Sequence, residues 1–139
     1  MYRIIYLSSA TTKFTNEEIL TLLNASRKNN EANEITGLLL YSDGNFLQII
    51  EGKQKKIKAL YAKINMDQRH RNIIKVFEGK VSHRIYPKWH MGFNSIDKEF
   101  ENQTIGTDSY QSISSEDDLI ASTFIATFLK SNKEKMNIK

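Results

Sequence analysis

The spacing of apolar positions changes several times along the 139-residue chain, and each change marks an element. Residues 2–8, YRIIYLS, are a compact apolar run of strand length. After a Thr/Lys loop, Thr15 and Glu18 stand at capping-box spacing ahead of Ile19, Leu22, Leu23 and Ser26, which recur at helical intervals. ITGLLLY (35–41) and NFLQIIE (45–51) predict two strands, and the Asp43-Gly44 step between them predicts a tight hairpin. Ile57, Leu60, Tyr61 and Ile64 fall at i, i+3, i+4 and i+7, one apolar stripe of a second helix. NIIKVFEGKVS (72–82) and KWHMGFNSI (88–96) predict two more strands, with the single proline, Pro87, in the connection between them.

The order is βαββαββ. Helices crossing over between strands in this order predict an α+β, ferredoxin-like mixed sheet with both helices on one face. The opposite face then needs a cover. Residues 98–139 follow the 1–97 body as a polar connector interrupted by Gly106, then a helix from a Ser115…Asp118 cap through Leu119, Ile120, Phe124, Ile125, Phe128 and Leu129.

With 40% hydrophobic and 26% charged residues, the composition fits one globular domain plus this extension. There is no cysteine, which excludes disulfides, zinc ribbons, thiol nucleophiles and cysteine–flavin adducts. His70, His83 and His90 have no metal-like spacing, and no metal is expected. The net charge of +4 divides into +6 over residues 1–97 and −2 over 98–139. Lys53, Lys55, Lys56, Lys58 and Lys63 cluster, and the basic run from Lys53 to Lys58 reads as a solvated face. The N-terminal apolar stretch is too short for a signal-peptide core and no run reaches membrane-spanning length, so a cytoplasmic protein without a membrane partner is expected.

The polar residue out of place is Gln48, in the middle of FLQII. Period-two alternation puts Phe46, Gln48 and Ile50 on one face of their strand, as it puts Ile4 and Tyr6 on one face of the first. If both faces look toward the helices, a phenol and an amide meet in the core, and on spacing alone a structural Tyr–Gln hydrogen bond accounts for them. By the same conservative standard Trp89 is a core aromatic, Met91 a gap-filler and Asn29-Asn30 a helix stop. Further polar groups converge on the same place, however. Ser26, Asn29 and Asn30 lie at the end of the first helix, and Asp67, Arg69 and His70 just past the second. Together they imply a wedge-shaped cleft between the helices, suited to a flat heterocycle with many acceptors.

YRIIYLS, SRKNNEANEITGLLLYSDGNFLQIIEG, DQRH and WHMG, in that order over about residues 1–95, resemble the blocks of the BLUF family of blue-light sensors that use FAD. The resemblance implies a flavin, FAD or alternatively FMN, held noncovalently between the two helices. It implies that Gln48 bridges Tyr6 and the flavin and that Asn30 bonds the carbonyl side of the ring. Ser26, Asn29, Asp67, Arg69 and His70 resemble positions lining the ring or the ribityl-phosphate path. Trp89 and Met91 match a last-strand pair that exchanges inward and outward places, and alternation puts both on the same face. The implied photochemistry is electron and proton transfer from Tyr6 through Gln48, leaving the amide rotated or tautomerised and the absorption shifted to the red. It involves no enzymatic turnover.

Two other classes fit less well. An RNA-binding module would need an RNP-type block, and KVFEGKVSH lacks its Gly-Phe-Gly/Ala-Phe order, so no nucleic acid is expected. An acyl-phosphate hydrolase would need a glycine-rich phosphate cradle, which YLSSATTKF does not supply. No cyclase, phosphodiesterase or DNA-binding domain follows within these residues. The expected output is therefore a changed surface near residues 116–130, offered to a partner protein or to further copies in a homo-oligomer, the alternative being that the last helix merely seals the sheet.

Overall fold

The computed structural model describes residues 1–12, 14–88, 90–95 and 119–137. In chain order the elements are β1 (Tyr2–Ala10), α1 (Asn16–Ala32), β2 (Thr36–Ser42), β3 (Asn45–Gly52), α2 (Gln54–Met66), β4 (His70–Lys80), β5 (Gly92–Ser95) and α3 (Leu119–Asn137). The strands form one sheet in the order β4-β1-β3-β2-β5. The first four make the antiparallel ferredoxin-like pattern of two interleaved split βαβ units, and β5 adds to β2 in parallel.

Local chemistry explains the element ends. The Thr15 hydroxyl accepts from the Glu18 N–H at 3.1 Å and the Glu18 carboxylate accepts from the Thr15 N–H at 2.9 Å, closing the expected capping box. At the hairpin, Asp43 and Gly44 both take positive φ (46° and 82°), the conformation of a type I′ turn whose twist matches its strands. Gly37 is required for a different reason. A Cβ there would meet the Ile49 carbonyl oxygen at 1.9 Å, so β2 and β3 come together only over a glycine.

The two faces of the sheet carry separate cores. On one, Ile4, Tyr6, Leu39, Phe46 and Ile50 pack with Ile19 and Leu23 of α1 and Ile57 of α2. On the other, Ile5, Leu38, Leu40, Leu47 and Ile49 pack with Ala121, Ile125 and Phe128 of α3. Both expected helix placements therefore hold. Ile120 is an exception within the expected apolar stripe, being exposed. The Ser115…Asp118 cap, the 98–118 connector and the side chains of Leu119 and Leu129 lie outside the described residues. No helix among the described residues is long and apolar enough to cross a membrane.

Three expectations need correction. α1 runs on to Ala32 and ends at Asn33, so Asn29-Asn30 is no helix stop, and Asn30 is buried inside the last turn. β4 begins at His70 rather than Asn72. Asn72 takes a positive φ of 54°, and register shifts between Ile5/Tyr6 and Leu7/Ser9 let the strand continue through this irregularity. The last strand is only Gly92–Ser95, so Met91 sits in its irregular lead and strand alternation does not govern where its side chain points.

A buried charge fastens the segment after β4. Glu51, fully buried on β3, pairs with Arg3 of β1 at 2.8 Å and accepts from the backbone N–H groups of Ile85 and Tyr86 at 2.9–3.1 Å. The pair is thus fully satisfied, the condition under which a buried ion pair persists.

Candidate functional site

A cleft of about 330 Å³ opens between α1 and α2 on the helix-bearing face of the sheet. Its floor is the central strand pair. Tyr6 and Gln48 are direct cross-strand partners in the β1–β3 register, so their side chains rise on the same face. The Tyr6 hydroxyl donates to Gln48 Oε1, and Gln48 Nε2 donates to Met91 Sδ at 3.3 Å. An amide nitrogen carries two hydrogens, so one N–H of Gln48 is left for the cleft that the side chain lines. Tyr6 is buried, edge-on to Tyr61 with ring centroids 5.6 Å apart. Burial, with smaller contributions from Tyr61 and Asp67, pushes its phenol well above the ordinary tyrosine range. Tyr6 therefore stays a protonated donor throughout the working pH range.

α1 supplies Ser26, Asn29 and Asn30 to one wall, and the end of α2 with its following turn supplies Asp67, Arg69 and His70 to the other. Asn30 Nδ2 donates to the His90 carbonyl at 2.6 Å. Asn29 Oδ1 accepts from Asn33 Nδ2 at 3.3 Å. Arg69 Nε reaches both Asp67 oxygens at 3.0 Å, and these bonds hold the Asp67 carboxyl down to about 2. His70 Nε2–H donates to the Ile64 carbonyl at 2.7 Å, which in the neutral ring makes Nδ1 the acceptor of the Ser8 hydroxyl at 3.0 Å.

All eight residues expected around a ligand thus line a single cleft. Met91 touches the Tyr6–Gln48 pair through Gln48 and is itself buried, whereas Trp89 lies outside the described residues. The cleft also uses Ser8, Phe14 and Lys63, which were not anticipated. Ser8 follows Tyr6 by two, the same strand face. Lys63 lies between Leu60 and Asp67 at helical spacing, so both were available from periodicity.

The residues present suit a flavin. Leu22, Leu39, Phe46, Leu60 and Ile64 offer apolar surface for a flat ring, the amides of Asn30 and Gln48 offer hydrogen bonds for its polar edge, and Lys63 and Arg69 offer positive charge for phosphate. Residues 1–92 match the family model described as "Sensors of blue-light using FAD".

The chain belongs to the BLUF family. Among similar proteins, the alpha subunit of the photoactivated adenylate cyclase of Euglena gracilis is 33% identical over 111 residues, which cover 78% of this chain and 11% of the relative. The chain spans about a tenth of the length of the curated relatives it matches. Among solved structures, the dark state of the BLUF protein BlrB matches with a TM-score of 0.68 and 28% identity over 88% of this chain and 90% of that one. A bacterial light-regulated adenylyl cyclase matches with a TM-score of 0.67 and 29% identity over 99% of this chain and 36% of the cyclase. This BLUF chain is accordingly a blue-light sensor that uses FAD. The RNA-binding alternative gains no support, and the sheet face such a module would use for bases is packed against α3.

Proposed function

We propose that Tyr6 and Gln48 are the photoactive pair, and that the sensor passes its signal to a partner without enzymatic activity of its own. The hydrogen bond from buried Tyr6 to Gln48, opening onto the cleft through the second Gln48 N–H, carries this reading. FAD bound there and excited by blue light supplies an oxidant able to draw an electron from a phenol. Tyr6, on losing that electron, becomes strongly acidic, and its proton passes along the existing bond to Gln48 Oε1. Gln48 can receive on oxygen and give from nitrogen, so return of the proton and electron to Tyr6 leaves the amide with a changed set of donors toward the cleft. A new donor toward a ring carbonyl shifts absorption to the red.

In this reading Asn30 anchors the ring edge, with Ser26 and Asn29 on the same wall. Asp67, Arg69 and His70 border the path of the ribityl chain and phosphate, where FMN would be gripped as well as FAD. Residues 1–97 form the sensor and 98–139 the output extension. The changed surface, on or near α3, meets a partner protein or further copies of this chain in the cytoplasm. Reconstitution with FAD followed by blue-light difference spectroscopy tests the assignment. A reversible red shift that vanishes in Tyr6→Phe while flavin is retained supports it, and a normal photocycle in that variant overturns it.

A further inference from the structure

Two side chains of α1, three residues apart and hence on one helix face, grip consecutive carbonyls of the segment leading into β5. Asn30 Nδ2 donates to the His90 carbonyl at 2.6 Å, and Arg27 Nε donates to the Met91 carbonyl at 2.9 Å. His90 adds a third tie through Nδ1–H to the Ile35 carbonyl at 3.0 Å. The side chain between these grips is Met91, whose sulfur accepts from Gln48 Nε2 at 3.3 Å. Arg27 itself does not line the cleft. Its Nη2 is buried and has no hydrogen-bond partner among the described residues. A buried donor left in this condition is costly, so the guanidinium is held in place by what Nε does rather than by a full set of partners.

We propose that Arg27 is a positioning residue that holds the Met91 backbone in its ground arrangement and thereby keeps Met91 Sδ on Gln48, setting the rate at which the light-formed state relaxes. The proposal rests on the photoactive role of Gln48 given above. The chain of contacts runs from the Gln48 amide to the Met91 sulfur, through that residue to its carbonyl, and from the carbonyl to α1. A rearranged Gln48 amide alters what Met91 Sδ receives, and the Arg27 bond opposes any following movement of the Met91 backbone. A contact made more strongly in one of two states biases the equilibrium toward that state, so loss of the Arg27 bond favours the light-formed state.

The test uses the FAD-loaded 139-residue chain in wild-type form and as Arg27→Gln, Arg27→Lys, Met91→Ala, the double variant Arg27→Gln/Met91→Ala, and Lys28→Ala as an exposed neighbouring control. Dark recovery is followed by absorption, and the Met91 methyl by ¹³C NMR in the dark. Arg27→Gln is expected to slow recovery about threefold or more, in the range of couplings between contacting residues, and to move the Met91 methyl resonance. Arg27→Lys, which keeps one donor for the carbonyl, restores at least part of the rate. Lys28→Ala changes neither readout, and Arg27→Gln adds nothing in the Met91→Ala background. Unchanged or faster recovery in Arg27→Gln, an unmoved methyl, or full additivity in the double variant overturns the proposal. Failure of the underlying photoactive assignment is seen separately, because then wild type itself shows no light-induced shift.

Discussion

The two faces of this sheet are built from the same strands and differ in almost every physical respect. Toward α1 and α2 the core admits a phenol, an amide and a cleft of about 330 Å³. Toward α3 the fully buried strand side chains are aliphatic and closed over by Ala121, Ile125 and Phe128. Strand alternation places these environments one residue apart. Gln48 faces the cleft, while Leu47 and Ile49 on either side of it face α3. Chemistry and sealing are thus divided between odd and even positions of one strand, and a disturbance at Gln48 is a single residue away from the packing of the opposite face.

The sharpest way to break the contrast is to remove the chemistry while keeping the volume. Tyr6→Phe is expected to bind flavin normally and lose the red-shifted state completely, and Gln48→Leu to do the same by loss of the relay; blue-light difference spectra check both. On the opposite face, Phe128→Ala should destabilise the fold by about 3 kcal/mol through loss of buried area and the cavity left behind, with the dark flavin spectrum unchanged. Denaturant melts paired with absorption spectra show whether the two faces are separable in this way. Asn30→Ala should leave the photochemistry of bound flavin in place but weaken retention, by about tenfold if one ring hydrogen bond is lost. Equilibrium dialysis against FAD measures it.

The smallest effect concerns pH. Arg69 lowers the Asp67 carboxyl from 3.8 to about 2, so the folded state binds its proton less readily than the unfolded chain. The stabilisation from this pair is present above the unfolded value and is lost as pH falls from about 4 through about 2. Because Arg69 is well exposed, solvent screening keeps it modest. Asp67→Asn should flatten this part of the acid-stability profile and lower stability at neutral pH by the same modest amount, as denaturant melts across the pH range would show.

Much of this arrangement was legible because the governing rules are local. The Thr15/Glu18 box, the Asp43-Gly44 turn and the 57/60/61/64 stripe each fix an element from a few neighbouring residues. The Tyr6–Gln48 meeting followed from alternation once the two strands were paired. What sequence could not supply is geometry that depends on a third partner. β4 extends back to His70 because bulges against β1 absorb Asn72. Met91 reaches Gln48 from an irregular lead rather than from a strand, held there by α1. Glu51 reads as the polar end of a strand, and its burial makes sense only beside Arg3 and the folded-back amides of 85 and 86.

That last cluster has a mechanical consequence. The chain running from β4 to Met91 is pinned at Ile85 and Tyr86 by the Glu51 carboxylate and again at His90 and Met91 by Asn30 and Arg27. Only residues 87–89 separate the two pins, a contour of roughly 14 Å between Tyr86 and His90. A tether so short sets an upper bound on how far Met91 can move from the Glu51 pin. Movement beyond that bound has to be transmitted as tension to the Glu51–Arg3 pair at the end of the sheet, and so to β1, the strand that carries Tyr6.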